Sequence, residues 1–289
     1  MPKRKSIIRQ IQERLTGMAA FGQSKHADKA ANGGYPARDK IYSRSTMDGY
    51  LDAAARFGAW ARSEHGCRTL EDARAWTGEY LDHRQAEGLS AWTVRRDAAA
   101  IAKVYGCRTT ELGSELPIRR RSEVTQHRGD RSVGHFDPER HADLVDLCRA
   151  TGLRRHEVAA LTTDDVYRDA EGRCMVHVAQ GKGGKERTVV ALSDAPLRVA
   201  AAARAAGSNR VIDHIPKYAP IHAYRREFAQ ELYDRSVAAA KGAQGGSDGS
   251  RTYVCRGDKD GTVYDRDAML VVSQALGHNR LSVVTAYLR

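Results

Sequence analysis

Paired cysteines and long apolar runs are missing from this sequence, and acidic residues are outnumbered by basic ones; each shortfall narrows the class of protein. The five cysteines (Cys67, Cys107, Cys148, Cys174 and Cys255) are odd in number, scattered, and form no CxxC pair. That argues against a disulfide framework and against a structural zinc site. No stretch approaches the roughly 18 apolar residues that a membrane span requires. The opening MPKRKSIIRQIQERL is basic but lacks the apolar run of a secretory signal. The simplest compartment is a reducing cytoplasm, with the nucleoid of a prokaryote in reach. Acidic residues number 36 against 47 Lys+Arg, a formal charge of +11. Such an excess favours a polyanionic partner through long-range attraction and counterion release, although a merely basic soluble protein would show it too.

What is present suffices for folding. The 289 residues can make two ordinary domains or one large one, and 41% hydrophobic content supports a packed core. Residues 1–40 are polar and read as a mobile arm or lead-in helix. Residues 41–110 carry helical periodicity. Leu51, Ala54, Ala55, Phe57 and Trp60 form one stripe, and Ala73, Trp76, Tyr80 and Leu81 another. Ser90 can cap AWTVRRDAAAIAKVY, with Trp92, Ala99 and Val104 facing a core. Residues 111–135, rich in Arg and Gly, read as a linker that is either solvated or laid along a phosphate backbone. From residue 136 the pattern is mixed. FDPERHADLVDLCRATG predicts a helix with Asp137 at its N-cap, and LRRHEVAALT a second. MVHVAQGKGGKERTVVALS predicts a β-hairpin around GKGG. Four more helices are expected, DAPLRVAAAARAAG and IHAYRREFAQELYDRSVAAAK before GAQGGSDGSRT, which reads as a flexible loop, and DRDAMLVVSQALG and RLSVVTAYLR after it, closing the chain. The fold class is therefore mainly α with a small β-hairpin or sheet: a helical front domain and a mixed α/β domain over 136–289.

Several polar residues of the back half are ordinary when taken singly. Arg154 and Glu157 stand three apart, as in many surface ion pairs. Lys182 and Lys185 flank glycines at a turn, and the spacing is not that of a P-loop. His222 and Arg225 share a helix face, while His278 after Gly277 reads as a helix-end residue. Tyr287 lies nine positions beyond His278 and could be a packed aromatic.

Taken in order, the motifs TGLRRHE, GKGGKER, HAYRREF and LGHNRLSVVTAY resemble those of the tyrosine recombinase, or phage integrase, family. The resemblance covers about residues 136–289, and GLSAWTVRRDAAAI looks like part of that family's core-binding domain. It implies site-specific recombination of double-stranded DNA, without metal or nucleotide cofactor, through a 3′-phosphotyrosyl link to Tyr287. On this reading Arg154 and Arg225 hold the phosphoryl oxygens. Lys182 protonates the leaving 5′ oxygen, His222 takes the phenol proton or binds phosphate, and His278 adds a donor. Glu157 buttresses an arginine. The resemblance further implies a C-shaped clamp on DNA, a tetramer of identical chains there, accessory DNA-bending or directionality proteins, and a mobile genetic element as the setting.

Three departures stand out. The stretch from His222 to His278 is longer than usual, with the excess near GAQGGSDGSRTYVCRGDKDGTVYD. Tyr224 and Arg226 replace the usual leucine and histidine of the HxxR box. Only two residues follow Tyr287, where the family often carries a docking tail. Two other readings of the same residues are a type IB topoisomerase-like relaxation activity and a DNA-binding regulator without catalysis.

Overall fold

The computed structural model describes residues 5–35, 37–120, 123, 136–181, 186–243, 252–278 and 280–289. The chain divides into two compact units, Met1–Val124 and Thr125–Arg289. Much of the linker read at 111–135, most of the loop at 242–252, and Lys182 and Lys185 lie outside the described residues. No helix among the described residues is long and apolar enough to cross a membrane.

The first unit is helical: α1 (Ile7–Thr16), α2 (Lys25–Ala31), α3 (Arg44–His65), α4 (Leu70–Arg74), α5 (Thr77–Ala86) and α6 (Ala91–Tyr105). Hydroxyl side chains start most of them. Ser6, Ser24, Ser43, Thr69 and Ser90 each accept a backbone N–H from the first turn, satisfying donors that a helix start leaves open. Residues 1–40 are not simply an arm. In α1, Ile7, Ile11 and Leu15 recur every four residues and are buried in the same core as Phe57, Tyr80 and Ile101. Gly58 makes this possible, since a Cβ there would lie 2.8 Å from Ile7 Cγ2. On α6 the buried face is Val94, Ala98, Ile101 and Val104, while Trp92 and Ala99 are half-buried. That face also buries Asp97, whose carboxylate accepts from Arg84 at 3.2 Å and Arg56 at 3.4 Å.

The second unit runs α7 (Ala142–Thr151), α8 (Arg155–Ala160), β1 (Val166–Arg168), β2 (Cys174–Val178), β3 (Arg187–Val190), α9 (Ala195–Ala205), α10 (Ile221–Ala243), β4 (Thr252–Val254), β5 (Val263–Asp265), α11 (Arg266–Ala275) and α12 (Leu281–Val284). β2 and β3 are the antiparallel pair expected on either side of GKGG, with Val176 opposite Val189, and β1 adds to the other edge of β2. Cys174, Val176 and Val178 alternate inward, as a half-buried sheet requires. The helix expected from Asp137 begins later. The Asp137 carboxylate accepts from the amides of Glu139 and Arg140 in a turn of its own, and α7 starts after it. The second hairpin, β4–β5, falls in the segment read only as excess length.

Candidate active site

Four loops and helix ends of the second unit converge on a buried polar centre. The first is the turn between α7 and α8. Gly152 ends α7 with φ 60°, a left-handed conformation that glycine adopts freely. Its Cα packs so closely on Phe228 of α10 that a Cβ would collide with the ring. Arg154 follows as the N-cap of α8 rather than a helical residue. Its main-chain N–H donates to Glu157 Oε2 at 2.8 Å, and its Nη1 to Glu157 Oε1 at 2.8 Å. Glu157, at i+3, thus caps the main chain at Arg154 and pairs with its guanidinium in the interior, and the two are not a surface ion pair.

Glu157 is almost wholly buried and has a second arginine. Arg187, the first residue of β3, donates Nη1 to Oε1 at 2.9 Å and Nη2 to Oε2 at 2.8 Å. Its Nε donates to Ala275 O at 2.9 Å, at the end of α11. Burial pushes the Glu157 carboxyl pKa up. The hydrogen bonds and charges of Arg187 and Arg154 outweigh it and bring the value down to about 2. Sequence reasoning passed over Arg187. It stands in the GKGGKER motif, but nothing local separates it from a solvent-facing strand arginine.

Arg225, on the first turns of α10, is completely buried. It donates Nη1 to Gly152 O and Nη2 to Leu276 O, the latter at 2.7 Å. Arg154 Nη2 donates to the same Leu276 carbonyl at 3.2 Å. The Nε of Arg225 has no partner, and no carboxylate forms a salt bridge with it among the described residues. Burial, then the neighbouring Arg154 charge, lower its pKa to about 10, against the opposing pull of Tyr287 and Glu157. Three guanidinium groups therefore lie together while the one carboxylate among them, Glu157, pairs with only Arg154 and Arg187, and the centre carries an excess positive charge out of water. Such a charge is costly unless an anion meets it.

Leu276 opens the fourth element. The chain turns at Gly277 (φ 65°), tight against the Arg187 side chain, and His278 N–H donates to Ser273 O at 2.8 Å. After α12 comes Tyr287, placed just beyond the helix rather than within it. Its ring centroid lies 5.6 Å from that of His278 and 5.7 Å from Arg225 Cζ. The structure thus gathers Arg154, Glu157, Arg225, His278 and Tyr287 around one turn, with Arg187 added. His222 sits one helical turn before Arg225 on α10, half-buried. Lys182 lies outside the described residues. Tyr224, at the departure within the HxxR box, is buried, with Arg149 over its ring at 5.1 Å. No group of three or more His, Cys, Asp or Glu side chains able to hold a metal ion occurs among the described residues.

Among solved structures, the XerH site-specific recombinase bound to palindromic difH substrate, in its post-cleavage complex, matches with a TM-score of 0.55 and 14% identity. The match covers 98% of this chain and 90% of that one. The pre-cleavage complex of XerH with difH substrate gives a TM-score of 0.47 at 16% identity, over 97% and 91% of the two chains. The Tn1549 transposon integrase in complex with circular intermediate DNA gives 0.41 at 12% identity, over 96% and 94%. No family model and no curated protein matches the sequence. The chain has the tyrosine recombinase fold: mainly helical, with a small antiparallel sheet.

Proposed function

We propose that this protein is a site-specific DNA recombinase that cuts and rejoins double-stranded DNA through a 3′-phosphotyrosyl link to Tyr287. The observation that carries the reading is the meeting of Arg154 and Arg225 at one main-chain carbonyl, with the Tyr287 ring beside Arg225. A dry, doubly cationic floor beside a phenol suits a phosphodiester. Its non-bridging oxygens replace the carbonyl as acceptors for the guanidinium groups, which stabilise the charge of the transition state. Tyr287 Oη attacks phosphorus and forms the O–P bond as the bond to the 5′ oxygen breaks. Lys182 gives that oxygen its proton, and His222 accepts the phenol proton. A phenol has an ordinary pKa of about 10, so the nucleophile needs this help near neutral pH. His278 donates to a phosphoryl oxygen, and Glu157 holds Arg154 in place. Attack by the 5′ hydroxyl of another strand reverses the chemistry. Recombination requires two duplexes and four such sites, hence a tetramer on DNA, with accessory DNA-bending or directionality proteins and a mobile element as the setting.

The test is covalent trapping. The protein is incubated with nicked duplexes from a candidate attachment site in the presence of a chelator, and adducts are resolved on denaturing gels. An adduct that disappears in Tyr287→Phe supports the reading. Salt-sensitive binding to the same duplex without any adduct overturns it in favour of a regulator.

A further inference from the structure

The segment bearing Tyr287 is held by a side chain from outside the site. α12 is four residues long, too short to be stable alone. Past it the chain makes two further turn bonds, Ala286 N–H to Val283 O and Tyr287 N–H to Val284 O. The carbonyls at such a helix end need other partners. Lys259, last residue of the 3₁₀ turn Gly257–Lys259 between β4 and β5, supplies them. Its Nζ donates to Thr285 O at 2.9 Å, to Leu288 O at 2.7 Å and to Tyr264 Oη at 3.0 Å. An ammonium has three N–H donors, and all three are used. Tyr264 Oη, having accepted from Lys259, donates to Arg289 O at 3.0 Å.

The hairpin that presents Lys259 is fixed in turn. Tyr264 is buried on β5, edge-on to Tyr233 of α10 at 5.8 Å, and Tyr233 Oη accepts from Asp265 N–H at 2.8 Å. Gln230, also on α10, accepts from Arg289 N–H at 2.9 Å. Main-chain atoms on both sides of Tyr287 are therefore referenced, through the extra hairpin, to the helix that carries His222 and Arg225.

We propose that Lys259 is a positioning residue for Tyr287, fixing the main chain on either side of the phenol so that its oxygen keeps a set distance from the phosphate floor of Arg225. This rests on Tyr287 being the nucleophile. Geometry is the reason it matters: a displacement of about 1 Å at a reacting atom costs on the order of 100-fold in rate. The β4–β5 insertion then has a task inside its own chain.

The test compares the full chain with Lys259→Met, Lys259→Arg and the milder Tyr264→Phe, which keeps the ring and removes the relay oxygen. Single-turnover adduct formation on the nicked duplex and affinity for that duplex are measured, with hydrogen exchange of the amides over 281–289 in the free protein. The expected result for Lys259→Met is adduct formation slowed about 100-fold, duplex affinity within about twofold and faster exchange over 281–289. Lys259→Arg recovers much of the rate, and Tyr264→Phe falls between. Unchanged exchange in Lys259→Met overturns the tether, and faster exchange with an unchanged or increased cleavage rate overturns the positioning role. An unaltered chain that forms no adduct overturns the reading of Tyr287 and takes this proposal with it.

Discussion

Arg187 grips both oxygens of Glu157, at 2.9 and 2.8 Å, with the glutamate side chain closed to solvent. The same carboxylate caps α8 and holds Arg154. One acid thus joins the start of β3 to the α7–α8 turn.

Glu157→Gln leaves two arginines with a neutral partner. It is expected to destabilise the protein by about 3–5 kcal/mol, the usual cost of breaking a buried pair from one side. The pH dependence has a defined sign. The folded-state pKa is depressed from the usual 4.5 to about 2. The stabilisation is therefore complete above about pH 4.5 and is lost as pH falls through 2. Denaturant unfolding between pH 7 and 2 should show this acid slope in the natural sequence and a shallower one in Glu157→Gln. Identical slopes would mean that Glu157 titrates normally.

Arg154→Ala and Arg225→Ala should each abolish adduct formation while much of the duplex affinity remains, because many other basic side chains contribute to a chain of net charge +11. Gel-shift and trapping assays on the same samples check this. Equal loss of binding and cleavage in both variants would show that these arginines grip DNA rather than stabilise the reacting phosphate.

Ile11→Ala tests the place of α1. Ile11 is 1% exposed in the core of the first unit. Truncating a buried isoleucine costs about 2–5 kcal/mol. A loss of that size in urea unfolding is expected; a loss below about 0.5 kcal/mol would return residues 7–16 to the status of an arm.

The helical front half was legible from apolar spacing and hydroxyl caps such as Ser90. The β2–β3 pairing was legible from alternation on either side of glycines. For α1 the sequence left an arm and a lead-in helix both open although the Ile7, Ile11 and Leu15 repeat is visible, because the flanking residues are so polar that the stripe looks too narrow to bury. β1, β4 and β5 are three residues each, shorter than any alternation that can be told from chance. A charged residue's periodicity also cannot say whether it faces water, so Arg187 looked like its neighbours.

The sequence by itself determined the charge, the fold class and the order in which Arg154, His222, Arg225, His278 and Tyr287 occur, because these are properties of composition and of local spacing. Only the tertiary structure decided which arginine Glu157 serves besides Arg154, that Arg225 is buried with no carboxylate paired to it among the described residues, and that Lys259 holds the turns around Tyr287. Those bonds join residues 30, 51 and 26 positions apart. A hydrogen bond acts over about 3 Å of space, and distance along the chain carries no record of it until the core has closed.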